Sequence, residues 1–179
     1  MKPRVALLRG VNVGGNKGVP MAALKSVAQR LGLGNPRTLL QSGNLVFSSE
    51  GHEAEALERM LETAIESEIG VETAVCVRTA AEWTGLVEAN PFPEAAADDP
   101  AHLLLIAFKV PPDPAAPEAI ARIYHGPERI AVAREHAYIV FPEGVGRSKL
   151  TPSLMGKHLG KGTARNWNTV LKLQAMLSD

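Results

Sequence analysis

Apolar residues in the first half of the chain follow two different periods. A period close to 3.6 residues predicts a helix over 21–31, with Pro20 in its first turn, and a second helix over 53–69. Short apolar runs bounded by Gly, Pro and Asn predict strands at 5–8, 37–40, 45–47 and 71–77. The resulting order, β-α-β-β-α-β, is the ferredoxin-like arrangement. It predicts a first lobe over 1–79.

The second half shows a weaker version of the same order. Apolar patterning predicts strands at 103–108, 129–133 and 137–141, and helices at 80–89, 116–125, 149–159 and 164–178. Thr163 is the expected N-cap of the last helix. We therefore predict an α+β fold in which the ferredoxin-like first lobe is followed by a second, degenerate β-α-β-β-α lobe and a C-terminal helix. This second lobe spans 80–179, its C-terminal helices pack back on the first lobe, and the Pro- and Ala-rich stretch 91–101 connects the two.

Composition narrows the class of protein without assigning a function. The chain has 179 residues, 45% of them hydrophobic, and contains a single cysteine, Cys76. One cysteine excludes a disulfide framework and a multi-cysteine zinc site. The five histidines never fall three or four residues apart, and no paired-carboxylate motif occurs. No apolar run approaches the roughly 18 residues of a membrane span, and residues 1–20 lack a secretory signal profile. The sequence predicts a cytoplasmic protein with no metal, no cofactor and no membrane partner.

Charge is segregated along the chain although the formal net charge is zero. Residues 1–49 contain no acidic residue, and residues 144–178 contain none either, whereas both stretches are rich in Lys and Arg. If the two ends of the chain pack side by side, they form one basic face, and such a face attracts anionic ligands whatever the net charge. If they scatter over the surface, the segregation has no functional meaning.

The segment 10–18 is rich in glycine and lies between a predicted strand and a predicted helix. Its glycines permit positive φ angles, and its amides together with the helix N-terminus favour an anion. Gly10 and Gly15 have the spacing of a P-loop, but Asn16 separates Gly15 from Lys17 and position 18 is Gly rather than Ser or Thr. A nucleoside triphosphatase is therefore excluded, and the Rossmann glycine spacing fails as well. An anion-cradling loop and a plain structural turn both remain open.

Two further polar segments complete the candidate site. Residues 41–44, Gln-Ser-Gly-Asn, have ordinary turn chemistry apart from Gln41. Residues 144–149 form a second basic, glycine-containing loop, and residues 163–169 contain polar side chains that are weak choices for a helix. The predicted ligand-binding residues are Arg9, Asn12, Gly14, Gly15, Lys17, Gln41, Ser42, Asn44, Lys149, Arg165 and Asn166. No catalytic residue is identified.

Three segments taken together resemble domain-of-unknown-function family 1697, a family of uncharacterised bacterial proteins. They are 6–15, Ala-Leu-Leu-Arg-Gly-Val-Asn-Val-Gly-Gly; 41–47, Gln-Ser-Gly-Asn-Leu-Val-Phe; and 163–173, which begins Thr-Ala-Arg-Asn-Trp-Asn. Met21, Leu24, Gly32, residues 90–92 and residues 148–149 also match the pattern of the family. The resemblance covers nearly the whole chain and implies an α+β fold with ferredoxin-like elements. It implies no substrate, cofactor or catalytic residue.

Three functions are compatible with these observations. The first is a site for an anionic, phosphate-bearing small molecule, built from loop 9–18, turn 41–44 and helix start 163–169. The second is a nucleic-acid-binding module with a basic face, although the predicted strands lack the RNP-like aromatic pair of RNA-binding sheets and the isoelectric point is about 7.0. The third is a protein-interaction scaffold without a catalytic site. The sequence leaves open whether the protein is an enzyme, and does not specify its ligand or oligomeric state.

Overall fold

A computed structural model describes residues 1–15 and 18–179. Within this part, the chain divides into two compact units. The first comprises Met1–Gly85 with Leu173–Asp179, and the second comprises Leu86–Lys172. Each unit contains one four-stranded antiparallel sheet. The α+β class predicted from the sequence is therefore confirmed.

The elements of the first unit follow the predicted β-α-β-β-α-β order. They are β1 (Lys2–Leu8), α1 (Met21–Arg30), β2 (Gly34–Leu39), β3 (Asn44–Ser49), α2 (Ala54–Ile69) and β4 (Val75–Thr79). Helix α3 (Ala80–Glu88) follows and continues from the first unit into the second. The strands pair in the order β2-β3-β1-β4. Helix α2 ends at Gly70, whose φ of 78° is the left-handed geometry that glycine adopts at low cost. The strand predicted at 71–77 begins four residues later than expected.

The core of the first unit lies between one face of its sheet and helices α1 and α2. Alternate residues of β1 such as Ala6 and Leu8 pack there against Leu24 and Leu61, all of them fully buried. The opposite face of the same sheet is buried too, since Val5 and Leu7 are at most 1% exposed. Successive strand residues point to opposite faces, so this sheet has no solvent-facing surface around β1.

Strand β4 forms one edge of this sheet, and the edge is closed by carboxylates. Three glutamates accept hydrogen bonds from its outward amides: Glu62 from Val75 at 2.8 Å, Glu58 from Val77 at 2.9 Å and Glu82 from Thr79 at 2.7 Å. Thr79 and Glu82 also form a capping box at the start of α3, because the Glu82 amide donates back to the Thr79 hydroxyl at 3.1 Å. An edge whose donors are occupied is a poor template for pairing with another strand.

The second unit contains more regular structure than the sequence predicted. It comprises α4 (Pro93–Asp98), a 3-10 turn (Pro100–His102), β5 (Leu103–Phe108), α5 (Ala116–Ala121), β6 (Arg129–Ala133), β7 (His136–Val140), a 3-10 turn (Val145–Arg147), α6 (Pro152–Leu159), β8 (Gly162–Asn166) and the start of α7 (Trp167–Ser178). Its strand order, β6-β7-β5-β8, repeats that of the first unit. The lobe predicted as degenerate is therefore completed by a fourth strand, β8.

Strand β8 corrects the prediction of a helix over 164–178. Residues 162–166 pair antiparallel with β5, with Arg165 opposite Leu105, and the helix begins only at Trp167. Arg165 occupies the position in β8 that Arg78 has in β4, and the Nη1 of each donates to the carbonyl of the residue before it, at 2.8 Å and 2.9 Å. Helix α6 likewise starts at Pro152 rather than near 149, because the Thr151 hydroxyl caps it by accepting from the Leu154 amide.

Candidate functional site

The end of β1 is fixed on both sides by backbone hydrogen bonds. The Leu8 amide donates to the carbonyl of Gly43 at 2.8 Å, and the Arg9 amide donates to the carbonyl of Ala74 at 2.9 Å. The Thr73 hydroxyl donates to the Arg9 carbonyl, also at 2.9 Å. The backbone of Arg9 is therefore held in place before the glycine-rich loop begins.

The side chain of Arg9 is half-buried. Within residues 1–15 and 18–179, its guanidinium forms no hydrogen bond or ion pair. Arginine remains charged at all physiological pH values and carries five N–H donors in a planar fork. A half-buried guanidinium without a protein acceptor is the group in this part of the molecule that is most able to bind an external anion.

Asn12 follows three residues later, and its side chain is occupied by the backbone. Its Nδ2 donates to the carbonyls of Val19 and Gln41 at 2.8 and 2.6 Å, and its Oδ1 accepts from the Val19 amide at 2.8 Å. The residue has a φ of 56°, a left-handed conformation that asparagine tolerates better than most residues. The structure thus places Asn12 at the predicted site but uses its amide to shape the loop.

The turn at 40–44 is also held by the side chain of an asparagine. Asn44 is fully buried, and its Nδ2 donates to the carbonyl of Leu39 at 2.8 Å and to the Ser42 hydroxyl at 2.9 Å. Gly43 has a φ of 80°, and a Cβ at this position would lie 2.6 Å from Val11 Cγ2. Gln41 is exposed, and its side-chain amide makes no hydrogen bond in the described part of the chain. Of these residues, Gln41 is the one whose side chain is available to a ligand.

The glycines of the loop leave its backbone open to solvent. Gly10, Gly14 and Gly15 have φ angles of 63°, 63° and 74°, and a Cβ at any of them would meet no atom within 4 Å. Helix α1 then begins after Pro20, with no side-chain cap and no acidic residue in its first turn. Lys17, which the sequence assigned to this site, lies outside the described residues, as does Asn16.

The three candidate residues of the second unit have different environments. Asn166 is the N-cap of α7, because its Oδ1 accepts from the Thr169 amide and hydroxyl at 3.0 and 3.1 Å. Arg165 is buried in β8 rather than placed in the first turn of a helix. Lys149 is exposed. Convergence of these residues with the loop of the first unit stays a prediction.

Sequence reasoning missed a polar cluster in the second unit. The Tyr124 hydroxyl donates to Glu128 Oε2 at 2.7 Å, and the Ser148 hydroxyl donates to Glu128 Oε1. The hydrogen bond to Glu128 is the main cause that raises the pKa of Tyr124. No sequence motif contains these three residues. The signal that the sequence does offer is that Tyr124 and Glu128 lie four positions apart.

Neither a metal-binding group of side chains nor a membrane-spanning helix occurs among residues 1–15 and 18–179. No group of three His, Cys, Asp or Glu side chains is arranged to hold a metal ion within residues 1–15 and 18–179. Cys76 is buried within β4. Among the helices of the described segments, none has the length and apolar character needed to cross a bilayer.

Comparison with known proteins places the chain in a family. Residues 1–138 match the family described as protein of unknown function (DUF1697). The chain belongs to this family. The resemblance carried by the loop after β1 and the turn before β3 is thereby confirmed. No match was found among curated protein sequences.

A solved structure has a fold similar to that of this DUF1697 protein. The conserved bacterial protein SP0830 from Streptococcus pneumoniae superposes with a TM-score of 0.76 at 22% sequence identity, covering 98% of both chains. An identity this low shows a shared fold and no shared activity. Any function must therefore be argued from the side chains of this chain.

Proposed function

We propose that this protein binds an anionic, phosphate-bearing small molecule at the β1 loop site, which we define as Arg9, the backbone of Gly10, Gly14 and Gly15, and Gln41. The observation that carries the proposal is the half-buried guanidinium of Arg9, which has no acceptor in the described part of the chain. Arginine binds phosphate oxygens through parallel N–H donors, in shorter and stronger hydrogen bonds than neutral donors form. Gln41, whose backbone carbonyl is bonded to the loop through Asn12, supplies a neutral donor and acceptor.

The hydrogen bonds around the site favour binding by reducing its entropic cost. Asn12 ties the loop to the turn at Gln41, and Asn44 fixes the turn from inside. A loop held in one conformation before the ligand arrives loses less conformational freedom on binding. Asn12, Ser42 and Asn44 thus keep their importance for the site, but as residues that position it.

The absence of acidic residues from the stretch of sequence that contains the site favours an anion as well. Residues 1–49, which include the whole β1 loop site, contain no Asp or Glu. The first turn of α1 also lacks an acid, so the partial positive charge of its amides is not compensated there. A carboxylate close to Arg9 would compete with an external ligand, and this stretch of chain supplies none.

A nucleic-acid function through a sheet face has less support. RNA-binding sheets of this strand order present exposed aromatic residues on the face opposite the helices. Here Val5 and Leu7 on that face of the first sheet are buried, and so are Leu105 and Ala107 on the corresponding face of the second. Neither sheet offers bases a platform for stacking.

The experiment is a calorimetric titration of the protein with inorganic phosphate and with pyrophosphate at low ionic strength. We expect Arg9→Gln to weaken binding by about tenfold, as for a lost charge-assisted pair. Lys25→Gln removes the same charge from an exposed position on α1 and is the matched control, with an expected change below about twofold. Equal weakening in both variants would mean that general charge, and no formed site, attracts the anion.

Variants of Gln41 and Lys149 test which residues besides Arg9 contact the anion. Gln41→Ala should weaken pyrophosphate binding by about threefold to tenfold if its amide contacts the ligand. Lys149→Gln in the same titration tests the sequence-based prediction that this lysine of the second unit contributes. Binding of neither anion by the wild-type protein would remove the proposal.

A further inference from the structure

The second unit contains an open cavity of about 430 Å³ that is separate from the β1 loop site. It lies beside α5 and the segment that leads into β6. Its lining includes four apolar residues, which we call the apolar wall (Pro117, Ile120, Ala121 and Ile130), and three polar ones, which we call the polar wall (Tyr124, His125 and Glu128). Pockets that bind small molecules combine mainly apolar walls with a few well-placed polar groups.

The carboxylate of Glu128 is held in position at the polar wall. Tyr124 and Ser148 each donate a hydroxyl hydrogen bond to a different oxygen of this carboxylate. Ser148 is itself oriented, because its Oγ accepts from the Leu150 amide at 3.0 Å. Gly126 leaves the space that the cluster needs, since a Cβ there would collide with the Tyr124 hydroxyl and the Glu128 carboxylate.

The Glu128 carboxylate also has no cationic partner among the residues that the structure describes. Burial acts to raise the pKa of Glu128, but the hydrogen bonds from Ser148, from Tyr124 and from its own backbone amide together outweigh it and lower the pKa below the ordinary value of 4.5. The carboxylate is therefore ionised at neutral pH. In residues 1–15 and 18–179, no Lys, Arg or His forms an ion pair with it. Two neutral hydroxyls leave its negative charge in place, and an ionised carboxylate keeps further lone pairs for another donor.

We infer that this cavity binds a small ligand that carries an ammonium group on a short apolar chain, with the ammonium on Glu128 and the chain against the apolar wall. An anionic ligand would meet the Glu128 charge. A neutral alcohol would leave that charge uncompensated. An alkylammonium ion satisfies both walls, because charge-assisted hydrogen bonds to a carboxylate are stronger than neutral ones and the apolar wall loses its contact with water.

Butylammonium chloride is a suitable probe, followed by proton–nitrogen correlation spectra of the full chain at constant ionic strength. A ligand with five heavy atoms should bind with a dissociation constant of about 1–10 mM. We expect concentration-dependent shifts of the amides of Ala121, Tyr124 and Ile130. Butan-1-ol should bind at least about tenfold more weakly, and butyrate should produce no saturable shift at these amides.

Two variants separate the charge of Glu128 from the shape of the cavity. Glu128→Gln should weaken butylammonium binding about tenfold, whereas Glu118→Gln, at an exposed position of α5, should leave it unchanged. Ala121→Met fills the cavity without altering the carboxylate, and should abolish binding even if Glu128→Gln fails to fold. Equal affinity for butan-1-ol and butylammonium, or unchanged binding in a folded Glu128→Gln protein, would overturn the inference. Absence of any saturable shift would overturn it as well.

Discussion

The side chain of Asn12 donates a hydrogen bond of 2.6 Å to the backbone carbonyl of Gln41, 29 residues further along the chain. The same side chain exchanges two hydrogen bonds with Val19. One residue thus connects the glycine-rich loop, the entry to α1 and the turn before β3. Its contribution to a ligand site is to hold these three segments in one arrangement.

Replacing Asn12 by Ala should lower the free energy of unfolding by about 2–3 kcal/mol. The variant loses three hydrogen bonds that are each worth about 0.5–1.5 kcal/mol, with the lower values for the exposed ones. It also places an alanine at a φ of 56°, which costs about 1 kcal/mol. Chemical denaturation of the two proteins measures the difference.

Asn12→Gly is the control for the cost of the left-handed backbone conformation at this position. Glycine adopts the left-handed conformation freely, so this variant loses only the hydrogen bonds and should be less destabilised than Asn12→Ala. A change of less than about 0.5 kcal/mol in both variants would contradict the structural role assigned to Asn12.

Alanine variants of Gly10 and Gly43 distinguish the cost of a positive φ from the cost of a steric clash in the same region. Both have positive φ, at 80° and 63°, but a Cβ on Gly43 would lie 2.8 Å from Leu8 Cβ whereas one on Gly10 would meet nothing within 4 Å. Gly10→Ala should therefore cost about 1 kcal/mol from the backbone alone. Gly43→Ala should cost about 2–4 kcal/mol, because the buried neighbours must also move. Equal thermal midpoints for the two variants would show that the turn relaxes freely.

The regular elements of the first unit could be predicted because their apolar residues follow the period of the element. Helix α2 buries Leu57, Leu61 and Ile65 on one face, and this pattern is visible in the sequence alone. Strand β8 gave no such signal, since its inward residues include the polar Thr163 and Arg165. It forms by pairing with β5, more than fifty positions earlier in the chain, and distant pairing overrides local preference.

The sequence indicated which segments are candidates for a ligand site, and that they form one stays a prediction. The roles of the individual side chains could not be predicted. Asn12, Asn44 and Asn166 were selected as polar donors for a ligand, and in each case the side chain binds the protein's own chain instead. The same amide group serves either purpose, and only the fold shows which partner lies within reach. The Glu128 cluster was missed because one of its hydroxyl donors, Ser148, lies 20 positions from Glu128 in the sequence.

Asn166 provides a test of the corrected start of α7. Asn166→Ala removes the N-cap and should lower the free energy of unfolding by about 1 kcal/mol, whereas Asn166→Asp should retain most of it. Thr163→Ala serves as the comparison, because Thr163 lies in β8 and does not cap the helix. If the amide proton of Thr169 exchanges no faster in Asn166→Ala than in the wild type, the cap is not formed in solution.

Tyr138 should make the free energy of unfolding fall at alkaline pH. Its hydroxyl donates to the carbonyl of Leu86 at 2.6 Å, and burial raises the pKa of Tyr138 from 10.0 to about 12. The unfolded chain then loses this proton at a lower pH than the folded chain. The contribution of Tyr138 to the free energy of unfolding is complete below pH 10. It is lost as the pH rises through about 12, the pKa of Tyr138 in the folded protein.

A Tyr124→Phe background isolates this effect, because the chain has two tyrosines and the pKa of Tyr124 is raised as well. In that background, tyrosinate absorbance of the native protein should show one transition near pH 12. The free energy of unfolding should fall by about 1–2 kcal/mol more between pH 9 and pH 11.5 than in the Tyr124→Phe/Tyr138→Phe protein, since each pKa unit corresponds to about 1.4 kcal/mol. The double variant controls for lysines that titrate over the same range. Native-state ionisation of Tyr138 near pH 10 would mean that its hydroxyl is open to water, and would contradict the buried hydrogen bond to Leu86.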